Sequence, residues 1–241
     1  MRTGGGLSLV LDFSASLYMG VLDAAGAVLA KAVRAGARGE TAHAELDALL
    51  AASGAGTEDI SEVAVGIGPG SFTGIRVAVA MAQGLAFARR LPLLPFSSLG
   101  ALRACAPGAG GGPARVVAAI AANAGRYYVS EVPAGAGGGG AGESLRDAHD
   151  LIALGAPDAV LMLSGPVPDR ARLSAAFGSV HSQEEVCDFG RILSLARALP
   201  PVRDGVIRPN YLLASAAEEK RLAAGSGPGP GAAETEGGPP W

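Results

Sequence analysis

The stretch "GIGPGSFTGIR" at residues 66–76 stands between a run that reads as a strand, residues 63–67, and an apolar run that reads as a helix, residues 72–88. A glycine-rich turn feeding a helix start gathers free amide N–H groups and the positive end of the helix dipole at one point, which suits a phosphate. The spacing speaks against the two common phosphate motifs. A P-loop needs a lysine and a hydroxyl straight after its last glycine, whereas Gly74 is followed by Ile75 and Arg76. A dinucleotide fingerprint needs an acid about 20 residues on for the ribose, and no Asp or Glu occurs between Glu62 and Glu131. The alternative is a turn kept for structure: Gly68 and Gly70 permit the sharp reversal, Pro69 stiffens it and Ser71 caps the helix.

Two features of the helix point outward from the turn. Arg76 lies in the first helical turn, where a cation opposes the dipole at a cost of about 0.3–1 kcal/mol, so an acid in its own lobe or on a partner is expected to meet it. The helix carries Val77, Ala80, Met81, Gly84, Leu85 and Ala88 on one stripe, yet its other sides are apolar too. A helix apolar all round is buried or shared with a partner, and Ala80 and Gly84 let another helix approach closely.

Away from this block, residues 7–14, 17–23 and 27–33 read as a three-stranded antiparallel meander, with Asp12 ending the first strand. Residues 41–52 place His43, Leu46 and Leu50 on one helical stripe, and Thr57 reads as an N-cap with Glu58 and Asp59 behind it. Residues 91–95 form a short apolar segment. After a Gly/Pro/Ala-rich stretch at 106–113 the order partly repeats: a hairpin from 115–120 and 127–132, a helix at 145–154, a strand at 159–163 and a helix at 169–177. This duplication predicts two α/β lobes with mixed sheets, residues 1–104 and 113–215. A low-complexity tail is expected to be disordered over 222–241, and 133–142 reads as a flexible loop.

The formal charge of −3 over 241 residues offers no general basic surface for gripping nucleic acid. Cys105 and Cys187 are far apart and neither sits in a Cys-x-x-Cys pair, which speaks against a zinc site or a disulfide framework. The first apolar run is too short and too early for a secretory signal, and residues 75–88 fall short of a membrane span of roughly 18 residues. A cytoplasmic protein is expected. Asp12 is a candidate nucleotide-site carboxylate or, with no companion acid, a loop cap.

The block "GIGPGSFTGIRVAVAMAQGLAFARRLPLLPFSSLGAL" closely resembles the signature of the TsaB (YeaZ) family, the dimerisation subunits of the bacterial tRNA threonylcarbamoyladenosine complex. "LVLDFSAS", "RVVAAIAANAGRYYVSEV" and "IRPNYLL" extend the likeness, so that it covers most of residues 7–213. The resemblance implies a two-lobed fold of the actin-like, sugar-kinase and Hsp70 (ribonuclease H-like) class. It also implies a subunit without catalysis of its own, paired with a TsaD-like catalytic subunit that binds the metal and transfers the threonylcarbamoyl group, and joined by a TsaE-like ATPase. On that basis this chain alone binds no cofactor, ATP and a metal ion belong to the partner subunits, and tRNA is contacted at most indirectly. The motif and interface residues it points to are Gly68, Pro69, Gly70, Ser71, Phe72, Thr73, Gly74, Arg76, Ala80 and Gly84, with Asp12 as a vestigial nucleotide site. The same helices, 41–52 and 72–88, allow a homodimer. His43, His149 and His181 are too scattered for a paired-histidine metal site, which agrees with a non-catalytic subunit. The family's usual Asp-Ala-Arg in the second hairpin is Ala121-Ala122-Asn123 here, and the helix around His43 is shorter than usual. The competing reading is a small-molecule kinase or ATPase using the glycine turn and Asp12. A glycoprotease has no visible nucleophile and base to support it.

Overall fold

The computed structural model describes residues 6–36, 39, 41–107, 115–133, 142–203 and 205–212. The tail at 222–241, and most of the loops at 106–113 and 133–142, lie outside the described residues. The expected meander is β1 (Leu7–Asp12), β2 (Leu17–Leu22) and β3 (Val28–Arg34), all antiparallel neighbours. There follow α1 (Ala42–Ser53), β4 (Ile60–Gly66), α2 (Phe72–Arg89), β5 (Leu93–Phe96) and α3 (Ser98–Ala104). Strand β4 pairs parallel with both β1 and β5, which gives the sheet order β3-β2-β1-β4-β5.

The second half repeats this plan. It runs β6 (Arg115–Ala121), β7 (Arg126–Pro133), β8 (Glu143–Asp147), α4 (Ala148–Ala153), β9 (Ala159–Ser164), α5 (Arg170–Ala176), β10 (Ser179–Ser182), α6 (Gln183–Val186) and α7 (Phe189–Arg197). Its sheet order, β10-β9-β6-β7-β8, is the first order with the corresponding strands in the same places. Two mixed five-stranded sheets of identical topology make this the two-lobed actin-like fold.

Packing follows from the period-2 alternation of the strands. Leu7, Leu9 and Leu11 of β1 face the core shared with α1 and α2, while Val10 faces a middle core that also holds Leu99 and Leu102 of α3, Ile192 and Leu193 of α7, and Ala118 and Ile120 of β6. On the far side Val117, Ala119, Leu161 and Leu163 meet Leu151 of α4 and Leu173 of α5. The layers are therefore helix, sheet, helix, sheet, helix, and α3 and α7 lie between the two sheets. Both faces of each sheet are covered, which is why all six residues of β1 and all six of β9 are buried.

Four local expectations change. Residues 145–154 are not one helix: pairing with β7 draws 143–147 into β8, and the Asp147 carboxylate then caps α4 by accepting from Asp150 N at 2.8 Å. The short apolar segment at 91–95 becomes part of the parallel strand β5. His43 is exposed, because the buried stripe of α1 is Ala42, Leu46, Leu49 and Leu50, one position out of step with it. Thr57 begins a single 3₁₀ turn whose cap is Gly56, held by its own N–H donating to Asp59 Oδ2 at 2.9 Å.

Candidate functional site

The glycine turn joins β4 to α2, and its backbone is engaged on three sides. Asn210 N donates to Ile67 O at 2.7 Å, Ser98 N to Gly68 O at 2.9 Å, and Ser71 N to Ser14 O at 2.6 Å. The side chain of Ser71 caps α2, accepting from Gly74 N at 3.2 Å. With Ile67 N donating to Phe96 O and Ile75 N to Ser71 O, the amides of Ile67, Ser71, Gly74 and Ile75 all have protein partners. The glycines are explained by close approach. A Cβ on Gly68 would lie 2.8 Å from Asn210 O, one on Gly70 2.4 Å from Ser14 O, and one on Gly74 2.0 Å from Phe13 O. Gly68 also takes a φ of 101° that a side chain disfavours. Pro69 is buried in the turn.

Among the described residues no acid meets Arg76, and two aromatic rings lie against it. Its guanidinium carbon lies 3.7 Å over the Phe72 ring, its Nε donates to Tyr211 Oη at 3.0 Å, and the Phe72 and Tyr211 rings sit 4.9 Å apart. An exposed cation–π contact is worth about 0.5–1 kcal/mol, enough to offset the unfavourable dipole position. Tyr211 arrives from the carboxyl-terminal segment, 135 residues away, beside Asn210. That segment is further tied to α2 by Gln83 Nε2 donating to Gly205 O at 2.8 Å.

Helix α2 is one-sided in its surroundings although it is apolar all round in sequence. Ile75, Ala78, Val79, Ala82 and Ala86 are buried, whereas Thr73, Arg76, Ala80, Gly84 and Phe87 face outward. Phe87 is 89% exposed and nothing lies within 4 Å of a Cβ built on Gly84. The outward face of α1, with His43, Ala44, Asp47 and Ala48, is also small and uncovered.

Asp12 is buried at the end of β1. Its Oδ1 accepts from Ser14 N at 2.9 Å and Ser98 Oγ at 3.1 Å, and its carboxyl lies against Gly66, where a Cβ would come within 2.6 Å of Cγ. Burial raises its pKa, against the lowering effect of these hydrogen bonds. Across the seam between the lobes, Ser16 Oγ donates to Glu184 Oε1 at 3.4 Å, and burial together with the Glu184 charge pushes the Tyr18 phenol up. Among the described residues, the group of three side chains spaced to share a metal ion is Asp147, His149 and Asp150, exposed on the second lobe and without Asp12. As it stands, Asp12 caps the β1–β2 loop and anchors α3.

The structure thus joins the predicted residues in two sets. Gly68, Pro69, Gly70, Ser71 and Gly74 build the turn, while Phe72, Thr73, Arg76, Ala80 and Gly84 continue onto or beside the outer face of α2. Ser98, Asn210 and Tyr211 lie in the stretches "PFSSLGAL" and "IRPNYLL", but their contact with the turn and with Arg76 is long-range and visible only in the fold. Glu143 also went unnoticed: at the start of β8 it accepts hydrogen bonds from Ser97 and, at 2.7 Å, from Asn210 Nδ2, linking the second sheet to the first lobe.

No described helix is long and apolar enough to cross a membrane. The family model described as TsaD, tRNA N6-adenosine threonylcarbamoyltransferase, matches residues 38–163, just over half of the chain. A tRNA threonylcarbamoyladenosine biosynthesis protein TsaB from Haemophilus influenzae is 45% identical over 87 residues, 36% of this chain and 36% of that protein. The protein of the same name from Escherichia coli K12 is 44% identical over 85 residues, 34% of this chain and 36% of that protein. The matched part is thus little more than a third of the length of these curated relatives. The solved structure of YeaZ from Pseudomonas aeruginosa superposes with a TM-score of 0.66 at 25% identity, over 86% of this chain and 100% of that one. The match over residues 38–163 places the chain in the family described as TsaD, tRNA N6-adenosine threonylcarbamoyltransferase, and within it the chain is similar to the proteins named TsaB and YeaZ.

Proposed function

We propose that this chain is the non-catalytic subunit of a complex that forms threonylcarbamoyladenosine on tRNA, and that it supports a TsaD-like catalytic subunit by docking through the outer faces of α1 and α2. The names of its relatives supply the pathway, and the surface of α2 carries the argument. Ala80 and Gly84, one turn apart and both exposed, leave the helix backbone open to close approach, and the exposed Phe87 lies beside them. Exposed large apolar side chains beside small ones are the composition of an interface core, where a facing helix buries the ring and packs on the glycine. Without the partner, the same face pairs with a second copy of the chain. A TsaE-like ATPase joins the complex, ATP and the metal ion are held by the partner subunits, and tRNA is reached through them.

Ala80→Glu tests this reading. The side chain at 80 already faces outward, so the variant keeps its fold and thermal transition, yet it no longer co-purifies with a TsaD-like subunit. Retained co-purification would overturn the docking face. Turnover of ATP by the isolated chain would overturn the non-catalytic role in favour of a kinase or ATPase using Asp12.

A further inference from the structure

Cys105 and Cys187, which the sequence keeps far apart, meet between the two lobes. Cys105 closes α3 and is 3% exposed; Cys187 lies between α6 and α7 and is half-buried. The amide of Asp188, the residue after Cys187, donates to Cys105 Sγ at 3.3 Å, and the same sulfur lies 3.8 Å from Asp188 O. Both cysteines pack in the same middle core. Arg191 encloses the pair, donating through Nη1 to Ala104 O at 3.3 Å and Ala106 O at 2.8 Å on either side of Cys105.

We infer that Cys105 and Cys187 are a two-thiol modification site which a hydroperoxide converts, reversibly, into a disulfide between the end of α3 and the start of α7. The geometry divides the roles. The Asp188 N–H donating to the Cys105 sulfur and the Arg191 guanidinium, held by the carbonyls on either side of Cys105, favour a thiolate there. Cys187 is the more exposed of the two. The favoured thiolate is thus Cys105, and the more exposed Cys187 beside it is the resolving thiol. In the first step the Cys105 sulfur attacks one peroxide oxygen; the S–O bond forms, the O–O bond breaks, and the departing hydroxide takes up a proton as water. In the second, Cys187 gives up its proton and its sulfur attacks the sulfenic sulfur of Cys105; the S–S bond forms, the S–O bond breaks and a second water leaves. Two thiols are oxidised by two electrons and one peroxide is reduced to two waters.

A simple packing role for the pair, in the middle core beside Phe189 and Leu193, predicts a different outcome. The chain has two cysteines, so the thiol count is unambiguous. The full chain is reduced, exposed to hydrogen peroxide, denatured and titrated with a thiol reagent, with intact mass and peptide mapping alongside. The expected result is joint loss of both thiols, a mass lower by two hydrogens, a peptide joining Cys105 to Cys187, and recovery of both thiols with dithiothreitol. In Cys187→Ser the sulfenic acid on Cys105 has no resolving thiol and is trapped by dimedone; in Cys105→Ser the Cys187 thiol survives the same exposure. Loss of one thiol alone in the unmodified chain, a disulfide between two chains, or survival of both thiols would overturn the inference. None of these readouts depends on a partner subunit.

Discussion

Gly84→Ala should make the isolated chain more stable while weakening its complex, and each half of that statement is checked separately. Gly84 lies well inside α2, five residues before its last residue Arg89, and it has ordinary helical backbone angles. A Cβ built there meets nothing within 4 Å. The added methyl therefore contributes only helix propensity, about 0.8–1.0 kcal/mol for Gly to Ala in a helix interior. For a domain of this size that corresponds to a rise in Tm of about 2–4 °C. Calorimetry on the monomeric chain, with the oligomeric state checked by sedimentation, measures the first half. Titration against a TsaD-like subunit measures the second: the methyl occupies the space where a facing helix would pack, so affinity falls, and Gly84→Arg abolishes it. A lower Tm for the alanine variant would mean that Gly84 is already packed in the free chain. Unchanged affinity in both variants would mean that the outer face of α2 is not where the partner binds.

Gly70→Ala should do the reverse of Gly84→Ala: its Cβ would fall 2.4 Å from Ser14 O at a φ of 156°, so a stability loss of about 2–4 kcal/mol is expected from overpacking and strain in denaturant unfolding, and a loss under about 1 kcal/mol would refute the clamp. Asp12→Asn should change how stability depends on pH. Burial raises the Asp12 pKa above its ordinary 3.8, so the folded chain keeps this proton at pH values where the unfolded chain has lost it. The stability this group contributes is complete below 3.8 and is lost as pH rises through the raised folded value. Asparagine keeps the acceptor oxygen for Ser14 N and Ser98 Oγ and does not titrate. The Tm of the variant relative to the unmodified chain should therefore climb from acid to neutral pH, and a difference that stays flat would show that Asp12 is not a buried, costly carboxylate.

What the sequence made legible is what short-range physics decides. The meander, β4, the Ser71 cap and the span of α2 follow from alternation, a capping hydroxyl and a long apolar run, all of which act within a few residues. The second lobe was harder to read because Leu145, Ala148 and Ile152 stand at i, i+3 and i+7 and fit a helical stripe, and only pairing with β7 assigns 143–147 to a strand. His43 failed for a similar reason, since a stripe shifted by one residue fits α1 equally well until the sheet selects the buried side. Within the candidate site, the missing information was long-range throughout. Nothing near Arg76 in the chain announces that Tyr211 will take the place of an acid, and nothing near Cys105 announces Cys187.

The glycine turn makes the same point about composition and cause. A phosphate loop and this turn both need residues without side chains, the first because an anion must reach the backbone and the second because other protein segments must. Here the approaching groups are identifiable: Asn210 O at Gly68, Ser14 O at Gly70 and Phe13 O at Gly74, three carbonyls from two different parts of the chain. A carbonyl oxygen repels phosphate, so their convergence on the turn is the opposite of a phosphate cradle. The residues that bring them also fix α2. Ser14 and Asn210 hold the backbone at either side of Pro69, and Tyr211, next to Asn210, holds Arg76 at the first outward-facing turn of the helix. Because Asn210 also donates to Glu143 in β8, the start of the proposed docking face is positioned by both sheets. The glycines are therefore required by the seating of α2, one step removed from the surface proposed to bind the partner.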